Sequence, residues 1–304
     1  MKSPDISIVI PVHNEEGNIG KLYLKLIEVL KGRRYEILFI DDGSTDGTYQ
    51  KIMNIRKKDS SVKPVRFKRN FGKSAALAAG LKSAAANIVI TMDGDLQDDP
   101  SDIPKLLEKI NEGYDMVVGW KQKKYSVFSP KFLASRIFNV LTKFLTGIKL
   151  HDFDCPFKAL RKDVAKSLNI YGELHRYIPV LADQEGFKIG EVKIKNLPRT
   201  HGKSKFNYTR LVRGFLDLIT VLFLTRFLKR PLHFFGSIGL LLSLLGFTIG
   251  VLLVIRKFIF GIVIKDNDII IFTVTLIILG AQFISIGLIG EMLANINQKI
   301  NGEK

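Results

Sequence analysis

Four carboxylates, Asp93, Asp95, Asp98 and Asp99, fall inside "TMDGDLQDDP", Thr91 to Pro100, directly after an apolar run that reads as a buried strand. Asp93 and Asp95 flank a single glycine, Gly94. On an extended or turning backbone, residues two apart can aim at one point. Oxygen ligands of that kind suit Mg²⁺ or Mn²⁺, which keep several waters and also bind substrate phosphates. A calcium loop of the EF-hand type does not fit. Counted from Asp93, the sixth position is Asp98 instead of Gly and the twelfth is Pro104 instead of Glu. Asp98 and Asp99 precede Pro100 and "SDIPKLLEK", and are read as caps of the next helix.

The elements that must position these groups alternate along the first 120 or so positions. "DISIVIPV", "YEILFID", "VKPVRFK", "NIVITMD" and "DMVVG" read as strands. "NIGKLYLKLIEVLKG", "TYQKIMNIRKK", "GKSAALAAGLKSAAA" and "IPKLLEKINEG" carry helical spacing between them. This order predicts an α/β fold with a mainly parallel sheet and helices on both faces. Ligands of such sheets bind beyond the carboxyl ends of the strands. Acidic residues recur there, as Asp41–Asp42 after one strand and Asp93–Asp95 after another. Two clusters at equivalent strand ends argue for a site more strongly than either alone.

Several chemistries are excluded. "GKS" occurs at Gly72–Ser74 and Gly202–Ser204, but a phosphate-binding Walker loop needs Gly where Phe67 and Leu197 stand. No Gly-x-Gly-x-x-Gly follows the first strand, and no Ser/His/Asp or Cys/His arrangement suggests a covalent hydrolase. Cys155, the single cysteine, excludes an internal disulfide and is read as a packing residue.

The formal net charge is +17, and it is unevenly placed. Residues 231–304 hold five Lys/Arg and four Asp/Glu, so nearly all of the excess lies in the first 230 residues. Leu232–Ile255 contains no Asp, Glu, Lys or Arg, and neither does Ile269–Gly290. Each run is long enough to cross a hydrocarbon core of about 30 Å as a helix. The basic bulk abuts the first run, and the positive-inside rule places it, with the C-terminal tail, in the cytoplasm. The stretches 121–151 and 188–230 mix apolar and basic residues at helical spacing, as interfacial helices on anionic lipid do. Nucleic acid is the weaker reading of this charge, because no nucleic-acid motif accompanies it. The expected organisation is a catalytic domain over 1–206, a juxtamembrane amphipathic helix over 207–230, and a membrane domain over 231–304. Its spans lie at about 232–256 and 269–291.

Six segments occur in order over the first 206 residues: "SIVIPVHNEEGNI", "LFIDDGSTDGT", "NFGKSAALAAGL", "TMDGDLQDDP", "DFDCPFKALRKD" and "PRTHGKSKF". Together they resemble family-two inverting glycosyltransferases of the GT-A fold. More narrowly, they resemble the polyprenyl-phosphate glycosyltransferases, such as dolichyl-phosphate mannose synthases and bacterial undecaprenyl-phosphate glucosyltransferases. The two C-terminal spans extend the likeness. The resemblance implies roles residue by residue. Pro11, His13 and Glu15 match the first nucleotide-contacting segment, with His13 where Tyr or Phe is usual. Asp42, with Ile40 and Asp41 before it, matches the segment holding base and ribose. Asp93 and Asp95, with Gln97 nearby, match the pair binding divalent metal and sugar diphosphate. Lys121 replaces a more usual Ser-Arg beside the donor phosphates, and Asp152 matches the leading Asp of an acceptor-side segment in which Asp154 is its rival. Arg199, Ser204 and Lys205 match a basic clamp for phosphate near the membrane, and Arg136 joins them as an acceptor-phosphate candidate.

The implied reaction moves a single sugar from GDP-mannose or a UDP-hexose to undecaprenyl or dolichyl phosphate, with Mg²⁺ or Mn²⁺ as cofactor. Membrane lipids are the expected surroundings, nucleic acid is not an expected partner, and the bacterial members of the family imply an oligomer. Two alternatives stay open. A processive polysaccharide synthase usually carries Gln-x-x-Arg-Trp, whereas the only tryptophan here is Trp120 in "VVGWKQ". A non-catalytic scaffold would bind nucleotide sugar without turning it over.

Overall fold

The computed structural model describes residues 3–121, 139–140, 142–144, 146–197, 230–261 and 267–302. They belong to two compact units, one within 1–218 and the other within 219–304.

The first unit is built on a seven-stranded sheet. In chain order the elements are β1 (Ile6–Val12), α1 (Glu16–Val29), β2 (Tyr35–Asp41), α2 (Thr48–Lys58), β3 (Val62–Arg66), α3 (Lys73–Ser83), β4 (Ile88–Thr91), α4 (Ile103–Asn111) and β5 (Met116–Lys121). They continue with β6 (Lys158–Arg161), α5 (Lys162–Ser167), α6 (Ile178–Gln184) and β7 (Ile189–Ile194). The strand order is β3-β2-β1-β4-β6-β5-β7. β1 through β4 pair in parallel, as do β5 and β7, and β6 runs antiparallel to both of its neighbours. The mainly parallel sheet is therefore present, with one reversed strand. Ile8, Val9, Ile10, Ile37, Phe39, Ile40, Val89 and Ile90 are almost wholly buried, as strands covered on both faces require. Helix α1 closes one face through Ile19, Leu22 and Leu26, and α4 contributes Leu106, Leu107 and Ile110.

The chain order makes β1 a switch point: the connections lead to β2 on one side and to β4 on the other. Crevices form at the carboxyl ends of strands at such points. The register shows where the two ladders stop. β1 pairs with β2 as far as Val12↔Asp41, but with β4 only as far as Val9↔Thr91. Pro11 lies just past that divergence, where the N–H it lacks is needed by no ladder bond to β4. The reversal of β6 has a second consequence. Its first residue, Lys158, sits opposite Thr91, so the segment entering β6 arrives at the same edge as the ends of β1, β2, β4 and β5.

The second unit contains two long helices, α7 (Pro231–Phe258) and α8 (Asn267–Gly302). Pro231–Phe258 and Asp268–Ile296 are long and apolar enough to cross a membrane, their 18-residue apolar stretches having mean hydropathies of 2.7 and 2.5. Their large apolar side chains, including Leu240, Leu244, Phe247, Phe272, Ile278 and Leu288, point outward. Small residues face the partner helix. A Cβ placed on Gly239 would lie 2.6 Å from the Gly280 carbonyl oxygen, so the two backbones touch there. Without a hydrophobic effect between helices in lipid, such close approach is the main source of their association. Gly239→Ile should therefore force α7 and α8 apart, and a lower melting temperature of the full chain in detergent would show it. An unchanged melting temperature would remove the glycine contact as a source of stability.

Candidate active site

The end of β1 and the end of β2 are laced together. The Asn14 N–H donates to Ser44 Oγ at 3.0 Å, and Asn14 Oδ1 accepts the Thr45 N–H at 2.8 Å. Asn14 has φ 57°, a conformation asparagine tolerates better than most residues. The His13 ring places Nδ1 2.8 Å from the Asp42 carbonyl oxygen. A carbonyl only accepts, so Nδ1 carries the proton. Glu15 uses its N–H on Thr48 Oγ1 at 2.9 Å and its carboxylate on Asn18 Nδ2 at 2.6 Å. Asp41 is buried, accepting the Ser44 N–H at 2.9 Å and lying 3.3 Å from Arg66 Nε. Asp42 receives the N–H groups of Phe71 and Gly72 at 2.7 and 2.9 Å. It thereby pins the segment that leads into α3. Ile40 is buried beside Pro11 in the β1–β2 register.

The Asp-x-Asp turn follows β4. A Cβ on Gly94 would lie 2.8 Å from Val12 Cγ1, so the turn packs against the end of β1 and its middle residue must be small. Asp95 Oδ1 accepts the Gln97 N–H at 3.1 Å. Asp93 is partly exposed and meets the ammonium of Lys73, which lies 2.6 Å from Oδ1 and 2.8 Å from Oδ2. Burial works against the Asp93 charge, but Lys73 outweighs it and holds the carboxyl below the ordinary aspartate value.

Asp98 is not a helix cap. It is wholly buried beneath the turn, where Oδ2 accepts the Asp93 N–H at 3.3 Å and Oδ1 lies 2.6 Å from Lys121 Nζ. The cap comes from Asp99 alone, which accepts the Ser101 N–H at 3.1 Å. Lys121 is only 9% exposed, so its charge is committed to supporting the turn from below.

The acceptor-side segment enters β6 at the same edge. Asp152 is buried, whereas Asp154 is exposed. Glu191 on β7 holds the backbone here: Oε1 accepts the N–H groups of His151 at 2.8 Å and Asp152 at 3.2 Å. Its Oε2 lies 2.7 Å from His151 Nδ1, and the His151 ring stacks on Trp120 at 4.0 Å. Cys155 is buried, and burial pushes its thiol well above the ordinary range, which suits packing and not attack. Lys158 is also buried and donates to the Cys155 carbonyl. After β7, the Leu197 N–H donates to the Gln97 carbonyl at 3.0 Å, bringing that strand's exit against the Asp-x-Asp turn. Arg136, Arg199, Ser204 and Lys205 lie outside the described residues.

Two positions at this edge were not read from the sequence. In the sequence Lys73 is only the lysine of a "GKS" at the start of a helix, and its contact with Asp93, twenty positions on, is made by the fold. For His175 the sequence offers no signal. It precedes α6, far along the chain, yet its Nδ1 lies 2.8 Å from Ser74 Oγ, which also accepts its backbone N–H at 3.2 Å.

Residues 7–168 match the profile of glycosyl transferase family 2. The chain belongs to glycosyl transferase family 2. It is a glycosyltransferase. It is 36% identical to a dodecaprenyl-phosphate galacturonate synthase of Rhizobium johnstonii, over 97% of this chain and 89% of that protein. It is 34% identical to an undecaprenyl-phosphate 4-deoxy-4-formamido-L-arabinose transferase of Klebsiella pneumoniae, over 96% and 88%. Among solved structures, glucosyl-3-phosphoglycerate synthase of Mycobacterium tuberculosis with Mn²⁺ and UDP-glucose shares the fold. The TM-score is 0.55 at 23% identity, covering 72% of this chain and 78% of that one.

The donor chemistry of the family 2 turn fits a hard divalent cation. Asp93 and Asp95 would offer carboxylate oxygens, and Gln97 would offer an amide oxygen. Among the described residues no cluster of three or more His, Cys, Asp or Glu side chains forms a ready-made cage. Water and diphosphate oxygens would complete the shell, the usual arrangement for Mg²⁺.

Two measurements test this geometry. Glu191→Ala should speed hydrogen exchange at the amides of 151 and 152, and unchanged protection would show that Glu191 does not hold them. The second concerns His175. Burial first, then the positive charge of Lys73, push its pKa down to about 3 from the ordinary 6.5, with Arg176 and Lys158 adding to the effect and Asp154 opposing it. Above about pH 6.5 neither folded nor unfolded protein binds this proton, and its contribution to stability is fully present. As pH falls toward 3, the unfolded chain takes up a proton that the folded one refuses, and stability is lost. His175→Gln should flatten the acid-side decline in melting temperature below pH 6.5, and a decline parallel to wild type would refute the buried neutral imidazole.

Proposed function

We propose that this glycosyltransferase transfers one sugar from a nucleotide sugar to a polyprenyl phosphate at the cytoplasmic face of the cell membrane, with inversion at the anomeric carbon. The observation that carries this reading is one chain uniting an Asp-x-Asp turn at the carboxyl edge of the sheet with two membrane-length helices. Relatives named for polyprenyl-phosphate sugar transfer align across almost its whole length, helices included.

An oxygen of the lipid phosphate attacks the anomeric carbon as the bond from that carbon to the nucleoside diphosphate breaks. The nucleoside diphosphate leaves with the electron pair. A lipid phosphate is already anionic near neutral pH, so little proton removal is needed. Asp93, Asp95 and Gln97 would hold Mg²⁺ or Mn²⁺, which neutralises charge on the departing diphosphate. Pro11, His13, Glu15, Ile40 and Asp42 shape the nucleotide shelf. Lys121 acts from beneath through Asp98. Arg136, Arg199, Ser204 and Lys205 would gather the acceptor phosphate against its repulsion from the donor, supplying position and charge stabilisation. Asp152 would position the acceptor or the sugar, and Asp154, exposed in the same segment, is its rival. The lipid tail stays in the bilayer with the spans.

The test is purified full chain with labelled nucleotide sugar, Mg²⁺ or Mn²⁺, and a polyprenyl phosphate. The donor panel includes GDP-mannose, UDP-glucose, UDP-galacturonate and a UDP-linked 4-deoxy-4-formamido-L-arabinose, the last two taken from the relatives. A lipid carrying one sugar is expected. A polymer would favour the processive synthase, and binding without product would favour the scaffold. Asp93→Asn or Asp95→Asn should lower transfer by about 10²-fold or more, in the range seen when an electrostatic stabiliser is removed. Wild-type turnover by either variant would end the metal assignment.

A further inference from the structure

Asp93 is the outermost carboxylate of the turn, and one ammonium covers both of its oxygens. Lys73 Nζ lies 2.6 Å from one and 2.8 Å from the other. Lys121, a second lysine near the turn, is engaged by Asp98. The Lys73–Asp93 pair is not sealed in the core, since the two side chains are 33% and 27% exposed. Solvent therefore reaches both partners of the pair.

The backbone beneath Lys73 is fixed from both sides. Asp42 holds the N–H groups of Phe71 and Gly72, and the Ser74 hydroxyl is bonded to His175. Only the flexible four-carbon stem of Lys73 is free to swing. A divalent cation and Lys73 therefore compete for the same carboxylate. The competition ends when another anion near the turn can take the ammonium. The diphosphate of a nucleotide donor is such an anion, and it brings oxygens for the metal at the same time.

We propose that Lys73 is a tethered counter-ion that guards Asp93, is displaced when metal and donor diphosphate arrive together, and so makes binding of the two cooperative. The inference rests on Asp93 and Asp95 being the metal pair. Coupling of this kind is reciprocal: nucleotide tightens metal binding by the same factor by which metal tightens nucleotide binding.

The experiment titrates Mn²⁺ into the full chain in detergent, following free Mn²⁺ by electron paramagnetic resonance, first alone and then with saturating UDP or GDP. Wild type, Lys73→Met, Lys73→Arg and Asp93→Asn are compared. Lys73→Met should bind Mn²⁺ alone about tenfold more tightly than wild type, within the usual range of coupling effects. Its gain in Mn²⁺ affinity on adding nucleotide should shrink. Lys73→Arg, which keeps the charge, should stay close to wild type and guards against a folding artefact. Equal Mn²⁺ affinity of wild type and Lys73→Met without nucleotide, with both lost in Asp93→Asn, would overturn the guard while leaving the metal site standing. Undiminished Mn²⁺ binding by Asp93→Asn would overturn both.

Discussion

Two carboxylates five positions apart, Asp93 and Asp98, share one turn, and each needs its own lysine. Asp98 is buried and meets Lys121 from below, while Asp93 faces outward and meets Lys73 from the side. An uncompensated charge in either place would be costly, and the inner one especially so. The inner pair shapes the turn, because Asp98 also takes the Asp93 N–H. The outer pair is the one that the proposed metal and diphosphate would have to open. Under the proposed function a basic chain with an acidic turn is the expected result: the acids would hold a cation, and the surrounding lysines and arginines would gather phosphate.

The sheet delivers these groups to one edge by two routes. Parallel strands β1, β2, β4 and β5 all point their carboxyl ends there. β6 runs the other way, so the segment from His151 to Phe157 reaches the edge before the strand rather than after it. Glu191 on β7 then holds that segment by its backbone. The β1–β4 ladder stops early, and the turn after β4 packs against the end of β1. In the second unit the same economy of side chains applies to a different solvent. Glycines let α7 and α8 meet backbone to backbone, and large apolar residues are left to face outward.

The α/β order, the strands at Tyr35–Asp41 and Ile6–Val12, the helix at Thr48–Lys58 and the two long apolar helices were all legible in the sequence. Local pattern decides them: period-two or continuous apolar runs for strands, 3.6-residue spacing for helices, and long uncharged stretches for spans. The Asp-x-Asp turn was legible for a similar reason, since its spacing and its place after a strand are both local. The roles of Asp98 and Lys121 were not. Asp98 sits beside Asp99 ahead of a proline, where local rules favour a cap, and only β5 arriving from below turns it into a buried ion pair.

By itself the sequence determined which chemistry was available: paired oxygen ligands after a buried strand, a strongly basic bulk, and apolar lengths matched to a bilayer. Tertiary structure decided which groups meet. Lys73 covers Asp93, His175 reaches Ser74 from a hundred residues away, and Asp152 is tucked in while Asp154 looks out. The physical reason is that a residue's type and neighbours along the chain set what it can bond to. Which partner it finds depends on strand order and direction, and a single reversed strand changed that order here.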